Sequence, residues 1–181
     1  AKRGFDRIDA QLQKLCAKGK MTEEAKASVL ANIQVVDTLS SAKSCELVVD
    51  AIYEDLAVKK QFFHELDEIC PVETIFASNT SSLSITELAS SSKYPERMIG
   101  MHFFNPVPVM KLVEITRGLL ASDETVSAAM HIVKLLDKEP VEVLDNAGFV
   151  VNRLLIPMIN EAAGLLVEGI ASAEDIDKAM C

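Results

Sequence analysis

The chain has 181 residues, of which 49% are apolar and 25% are charged, and its formal net charge is −9. This length suits one large or two small domains and is sufficient to bury a hydrophobic core without covalent cross-links. The acidic balance argues against sequence-independent nucleic-acid binding, because no net positive field gathers phosphates, and we expect no nucleic-acid partner.

The four cysteines are widely spaced, without a C-x-x-C pattern and without a histidine at ligand spacing. This favours reduced thiols over disulfides or a zinc site, and we expect no metal. No apolar run reaches transmembrane length and no signal peptide is apparent, so we expect a cytoplasmic protein without a membrane partner. The chain does not begin with Met and stops within a helical pattern, which predicts that it is a piece of a longer protein.

The first 31 residues predict a helical hairpin. Apolar residues recur at helical spacing up to Gly19, which is suited to end a helix, and Thr22 can cap a second one. Basic side chains, Lys14 and Lys18 among them, form one face of the first helix. That face is either simply solvated or binds an anion, and the pattern alone leaves both possibilities open.

From the hairpin to residue 145, short apolar runs alternate with helical patterns. The predicted strands cover residues 33–36, 47–52, 74–77, 98–103, 112–115 and 141–144. The predicted helices cover about 56–69, a segment after Ser84 and about 123–136, and their predicted capping residues are Asp55, Ser84 and Ser122. This alternation is typical of an α/β fold with a parallel, doubly wound, Rossmann-like sheet. Ligands of such sheets lie beyond the carboxyl ends of the strands.

The pattern changes after Asp145. The sequence Asn-Ala-Gly at 146–148 indicates a turn, and we place a domain boundary between residues 145 and 146. Residues 149–168 then predict a helix that is apolar on nearly every side and kinked at Pro157, and such a helix requires other helices to cover it. The chain is therefore read as a domain over 1–145 followed by the start of an all-helical domain over 146–181.

The stretch from Met101 to Thr116 holds the best candidate for chemistry. His102 closes one predicted strand, Glu114 lies within the next, and the intervening Pro106 and Pro108 predict a stiff extended loop. A returning strand can bring the carboxylate beside the imidazole, which fixes the tautomer of the ring and suits it to act as a general base. Either residue alone is compatible with packing or a surface position, but the pair with its rigid link favours catalysis.

Further polar residues follow the predicted strands. Glu54 comes after the second strand, residues 78–82 follow the third, and Asn105 lies just beyond His102. Turn and capping roles explain each of them singly. Their presence at three successive strand ends favours a shared binding site around the candidate base.

Two segments carry a resemblance to a known family. SNTSSLSITELA and RMIGMHFFNPVPVMKLVEI resemble the L-3-hydroxyacyl-CoA dehydrogenase family, and the KGKM turn of the hairpin is most similar to its bacterial 3-hydroxybutyryl-CoA dehydrogenase branch. The resemblance extends over essentially the whole chain. It implies NAD-dependent, reversible oxidation of an (S)-3-hydroxyacyl-CoA, with 3-hydroxybutyryl-CoA as the expected substrate, in fatty acid or butanoate metabolism. It also implies a homodimer for the intact protein.

The resemblance assigns roles to individual residues. It implies that His102 is the catalytic base, that Glu114 orients it, and that Ser81 and Asn152 hydrogen-bond the reacting oxygen and the thioester end of the substrate. The remaining implied contacts are Glu54, Lys59, Ser81 and Asn105 with the nicotinamide half of NAD, and Lys14 and Lys18 with the CoA moiety.

The sequence departs from a complete dinucleotide-binding domain in one respect. The first two strands of the fold and its G-x-G-x-x-G turn, which cradles the pyrophosphate, are not among these residues. We therefore expect these 181 residues to bind NAD poorly. Two alternatives follow, namely a truncated and catalytically impaired fragment, or a non-catalytic relative that retains the fold.

Overall fold

The computed structural model describes residues 2–181, and the chain divides into two compact units, Ala1–Ser41 and Ala42–Cys181. The first unit contains helices α1 (Lys2–Ala17) and α2 (Glu23–Ala31), which confirms the predicted hairpin. Gly19 has a φ of 66°, as expected of a residue that ends a helix, and the Thr22 side chain caps α2 by accepting a hydrogen bond from an amide of its first turn.

The second unit is built on a five-stranded sheet. Its strands, in the spatial order β1-β2-β3-β4-β5, are β1 (Leu47–Asp50), β2 (Ile75–Ser78), β3 (Met98–Phe103), β4 (Leu112–Arg117) and β5 (Glu139–Leu144). All neighbouring pairs are parallel except β3 and β4, which are antiparallel. The α/β class is confirmed. The sheet is mixed rather than purely parallel, because β4 is the returning strand that was predicted after His102. The loop between β3 and β4 is too short for the crossover that a parallel pair requires.

The prediction of a strand over residues 33–36 is wrong. This segment has no regular structure, and it precedes a short 3-10 helix, Leu39–Ser44. Val35 and Val36 are largely exposed. An apolar, β-branched run forms a strand only where it meets a pairing partner, and the sheet of the described residues begins at β1.

Three helices flank the strands of the sheet, namely α3 (Leu56–Asp67), α4 (Ile85–Ala89) and α5 (Asp123–Leu135). Each begins at a residue whose side chain accepts a hydrogen bond from an amide of the first turn, and these caps are Asp55, Ser84 and Ser122. A second 3-10 helix, Pro95–Arg97, leads into β3. The main core lies between α5 and the central strands and includes Ile99, Met101, Val113, Ile115 and Ala129.

The link between β3 and β4 is a compact turn, so the prediction of an extended loop is wrong. The amides of Val109 and Met110 both donate to the carbonyl of Pro106, at 2.9 and 3.0 Å. The ammonium of Lys138 closes the turn by donating to the carbonyls of Val107 and Met110. Proline excludes a continuous helix at this place, but its fixed φ is equally compatible with a tight turn.

Two helices follow the sheet, α6 (Val151–Val167) and α7 (Ala173–Met180), the second capped by Ser172. Large apolar side chains of α6 are exposed, with Leu154 at 70% and Val167 at 87% of their maximum. An uncovered apolar helix agrees with the prediction that this segment needs further helices around it. Within residues 2–181, no helix is both long and apolar enough to cross a bilayer.

Candidate active site

The side chains of His102 and Glu114 meet across two antiparallel strands. The register of β3 and β4 pairs these two residues directly, and Nδ1 of His102 lies 2.8 Å from Oε2 of Glu114. Both are buried, with 7% and 1% of their surface exposed. The contact expected from the returning strand is therefore present. The carboxylate is an acceptor only, so it favours the ring tautomer with the proton on Nδ1 and leaves Nε2 as a lone-pair acceptor.

The second oxygen of Glu114 is held by the backbone. Its Oε1 accepts hydrogen bonds from the amides of Val150 and Val151, both at 3.0 Å. These amides lie at the start of α6, where the first N–H groups have no partner within the helix. A buried carboxylate is thus compensated on both oxygens.

Aromatic rings border the imidazole. The ring of Phe104 lies 4.5 Å from that of His102, and the ring of Phe149 lies 5.7 Å away, measured between centroids. Phe149 is buried and has a left-handed φ of 48°. The imidazole whose Nδ1 faces Glu114 therefore has two aromatic rings as neighbours.

The structure brings Ser81 and Asn152 together. The side-chain amide of Asn152 donates to the backbone carbonyl of Ser81 at 3.4 Å, although 71 residues separate them. Asn152 directly follows Val151, whose amide binds Glu114. The start of α6 therefore connects the loop after β2 with the His102–Glu114 pair.

Glu54 organises the loop after β2. Its Oε1 accepts hydrogen bonds from the Thr80 hydroxyl, from the amide of Ser81 at 3.1 Å and from the hydroxyl of Ser82 at 3.3 Å. Burial disfavours the ionised form of Glu54, but the bonds from Thr80 and Ser81 outweigh it and lower the pKa of this carboxyl below its ordinary value. Its side chain remains 41% exposed, so it is still accessible to a ligand.

Lys59 is enclosed. Its side chain is 1% exposed, and its ammonium lies 2.6 Å from Oδ1 of Asp50 and 3.5 Å from Oε2 of Glu54. Asp50 also accepts hydrogen bonds from the Ser78 hydroxyl and the amide of Ile52. The predicted cofactor contact of Lys59 is therefore indirect at most in this geometry, because the ammonium faces two carboxylates.

The other predicted residues are exposed. Asn105 lies on the surface of the turn after β3. Lys14 and Lys18 are exposed in the first compact unit, on α1 and directly after it. Their predicted contacts with NAD and CoA stay predictions. Among residues 2–181, no three His, Cys, Asp or Glu side chains come together in a way that could hold a metal ion.

Sequence reasoning included Asn79 only within the polar run 78–82, and it missed Asp50 as a residue that shapes the site. Asn79 accepts a hydrogen bond from the amide of Phe103 at 2.8 Å, which ties the end of β2 to the residue after His102. Asp50 is the buried partner of Lys59, and its position at the end of an apolar run, nine residues before that lysine, was the available signal.

A second missed residue, Asp145, accepts hydrogen bonds from the Ser84 hydroxyl and the amide of Thr86, both at 2.7 Å. Burial opposes ionisation of Asp145, but the hydrogen bonds from Thr86 and Ser84 outweigh it and lower the pKa of this carboxyl. Asp145 thus links the start of α4 to the segment that leads into α6.

A sheet of this topology, with polar groups at the carboxyl ends of its strands, is that of a Rossmann-like nucleotide-binding domain. Comparison with known proteins gives the particular family. The family model described as "3-hydroxyacyl-CoA dehydrogenase, NAD binding domain" matches residues 1–147, and the one described as "3-hydroxyacyl-CoA dehydrogenase, C-terminal domain" matches residues 148–181. The chain belongs to the 3-hydroxyacyl-CoA dehydrogenase family, as the resemblance in its sequence predicted.

Individual proteins similar to this chain carry names from the same family. The chain is 50% identical over 173 residues to 3-hydroxybutyryl-CoA dehydrogenase of Clostridioides difficile, covering 96% of this chain and 62% of that protein. It is 49% identical over 180 residues to the probable 3-hydroxybutyryl-CoA dehydrogenase of Bacillus subtilis (strain 168), covering 99% and 63%. The crystal structure of (S)-3-hydroxybutyryl-CoA dehydrogenase from Ralstonia eutropha superposes with a TM-score of 0.95 at 46% identity, covering 99% of this chain and 63% of that one. The chain thus spans less than two thirds of the length of these relatives.

Proposed function

We propose that the protein to which these residues belong catalyses the NAD-dependent, reversible oxidation of (S)-3-hydroxyacyl-CoA to 3-ketoacyl-CoA, with 3-hydroxybutyryl-CoA as substrate. The observation that carries the proposal is the buried contact between His102 and Glu114 on adjacent strands. The printed names of the relatives from Clostridioides difficile and Ralstonia eutropha support the choice of substrate.

The proposed reaction removes two hydrogens from the alcohol. Because Glu114 engages Nδ1 of His102, Nε2 is the nitrogen that accepts the hydroxyl proton. As the O–H bond breaks, its electrons form the C=O bond, and the hydrogen on C3 leaves with its electron pair. NAD, when bound, supplies the acceptor of that hydride. In the reverse direction, protonated His102 returns the proton to the alkoxide oxygen.

Two neutral donors are proposed to hold the substrate. The hydroxyl of Ser81 and the side-chain amide of Asn152 suit a carbonyl oxygen that gains or loses negative charge, because they stabilise it without a permanent charge of their own. Their proximity supports a shared role, since Asn152 already donates to the carbonyl of Ser81. One of them would face the reacting oxygen and the other the thioester end.

Three of the four residues predicted to contact the nicotinamide half of NAD are accessible for a direct contact. Glu54, Ser81 and Asn105 are each partly or fully exposed at the strand ends and are proposed as direct contacts. Lys59 is enclosed between two carboxylates, and we propose that it acts on the cofactor by orienting Glu54. The 181 residues contain no G-x-G-x-x-G, so pyrophosphate binding is not assigned to any of them.

We also propose a domain organisation and a cellular setting for the protein. Residues 1–145 form the NAD-binding domain with its hairpin over 1–31, and residues 146–181 begin a helical domain for substrate binding and dimerisation. Lys14 and Lys18, one helical turn apart, would meet the anionic groups of CoA. We place the intact protein in the cytoplasm as a homodimer, in fatty acid or butanoate metabolism.

The test uses the intact protein and follows NADH absorbance in the presence of acetoacetyl-CoA. We expect His102→Ala to lower kcat by about 10²–10⁴-fold, the range for loss of a general base. His131→Ala is the matched control, because His131 is exposed on α5, and it should leave the rate unchanged. Activity that survives His102→Ala would exclude the proposed base.

The alternative of an impaired fragment or a non-catalytic relative predicts a different outcome. Both would leave the 181-residue chain inactive with acetoacetyl-CoA, but only a non-catalytic relative would leave the intact protein inactive as well. Titration of the intact protein and of the 181-residue chain with NADH, followed by fluorescence, locates the defect: an impaired fragment fails to bind NADH at micromolar concentrations at which the intact protein binds it. The presence of both His102 and Glu114 favours an enzyme over a non-catalytic relative.

A further inference from the structure

We propose that the turn over residues 148–151 is a backbone anion nest that holds Glu114 in one orientation and thereby sets the tautomer of His102. The turn is a positioning element, and no substrate contact is assigned to Gly148, Phe149, Val150 or Val151. This inference rests on the proposed function, in which His102 is the base.

The nest is built from an unusual run of backbone angles. Gly148 and Phe149 have left-handed φ values of 75° and 48°, and Val150 returns to the right-handed region with φ −99° and ψ −54°. A left-handed residue followed by a right-handed one turns successive amides toward a common point, which makes a concavity for an anion. Here that point is occupied by Oε1 of Glu114, 3.0 Å from the amides of both Val150 and Val151.

The turn demands glycine at its first position. A Cβ on Gly148 would lie 3.1 Å from the backbone nitrogen of Arg153, in addition to the strain that its positive φ imposes on other residues. Phe149 accepts the strained angle while its ring is buried against His102. A left-handed non-glycine residue persists only where its surroundings enforce it, and such residues cluster at functional sites.

The charge balance explains what the nest does. Glu114 is 1% exposed, and a carboxylate removed from water needs donors on both oxygens. Two amides at the positive end of α6 saturate Oε1, so Oε2 remains as the acceptor for Nδ1 of His102. The orientation of the carboxylate is therefore determined by the backbone, independently of the imidazole.

The same turn also places a second functional group. Asn152 directly follows the two nest amides, and its side chain reaches the carbonyl of Ser81. A displacement of the start of α6 would consequently disturb the base and the proposed substrate donors together. The position of the helical segment is thus linked to the protonation pattern of the base.

The substitution Glu114→Gln tests the nest directly. A glutamine has one accepting oxygen and one donating nitrogen. The nest amides are donors, so they can bind only the oxygen. The amide nitrogen must then face Nδ1 of His102, so the ring proton moves to Nε2. Without a nest, the glutamine side chain flips, offers its oxygen to Nδ1–H, and the tautomer stays as it was.

The measurement is the ¹⁵N NMR spectrum of the His102 ring in the wild-type chain and in Glu114→Gln. We expect a protonated Nδ1 in the wild type and a protonated Nε2 in the variant. A variant that keeps the proton on Nδ1 would overturn the proposal. In the active intact enzyme, the switched tautomer should lower kcat while NADH binding is unchanged. A catalytic histidine held in the wrong tautomer loses about 10⁴-fold in kcat in the serine-protease triad.

A second measurement does not depend on any variant. Hydrogen exchange of the Val150 and Val151 amides should be at least about tenfold slower than that of Ala173 and Glu174, the first amides of α7, because a hydrogen bond to a charged acceptor is worth at least that factor. Equal exchange rates would contradict the nest.

The outcomes separate this inference from the proposed function. A tautomer switch, together with an intact protein that never oxidises NADH with acetoacetyl-CoA, retains the nest and refutes the dehydrogenase. A protein that is active but shows no switch and no amide protection retains the dehydrogenase and refutes the nest.

Discussion

The buried pair of Lys59 and Asp50 offers the sharpest prediction about stability. The two side chains are 1% and 0% exposed, and their charged atoms lie 2.6 Å apart. Lys59→Met removes the ammonium but keeps most of the volume, so Asp50 is left with only the Ser78 hydroxyl and the amide of Ile52 as donors. Removing one member of a buried ion pair costs about 3–5 kcal/mol in the free energy of unfolding.

Urea unfolding of the whole chain measures this cost. With an m-value of about 2 kcal/mol/M, the expected loss moves the midpoint by about 2 M. Lys60→Met is the matched control, because Lys60 is the next residue on α3 and its pair with Glu87 is partly exposed, with side-chain exposures of 30% and 54%. A pair at the surface contributes at most about 1 kcal/mol.

A double variant, Lys59→Met with Asp50→Leu, tests the cause. It removes both charges, and much of the lost stability should return, since the uncompensated carboxylate is then absent. If Lys59→Met destabilises the chain no more than Lys60→Met does, the burial argument for Lys59 is wrong. The proposal that Lys59 orients Glu54 would then lose its physical basis.

Two further predictions concern positions outside the His102–Glu114 pair. Asp145→Asn should destabilise the chain near neutral pH. The pKa of Asp145 is lowered in the folded state, so its ionised carboxylate stabilises the fold above the ordinary carboxyl pKa of about 4. This stabilisation is lost as the pH falls through the lowered pKa. Urea midpoints of wild type and variant should therefore converge in acid, and a constant difference would contradict this. Gly100→Ala should destabilise by about 1–3 kcal/mol, because its Cβ would lie 2.6 Å from Cβ of Thr116. As its control, Gly164→Ala in α6 should be neutral or stabilising in thermal unfolding, because an added Cβ would meet no atom within 4 Å beyond the adjacent backbone of its own helix.

Local structure was predictable wherever a local physical signal exists. Asp55, Ser84 and Ser122 were identified as the starts of helices, because a capping side chain bonds to amides of its own first turn. The contact of His102 with Glu114 was also predictable, since a short link between two strands returns the chain antiparallel and places the pair opposite each other. The prediction failed at residues 33–36, where apolar composition resembled a strand but no partner strand was available.

The amino-acid sequence by itself determined the family, the α/β class and the imidazole–carboxylate pair of this protein, because short motifs, caps and strand periodicity act over a few residues. Only the tertiary structure decided that Lys59 is enclosed by Asp50 and that the amides of Val150 and Val151 hold Glu114. Backbone amides have no side-chain signature, and the contact of Glu114 with Val150 spans 36 residues. Which donors surround a buried charge depends on how distant segments pack, and that information is not contained in any local stretch of the chain.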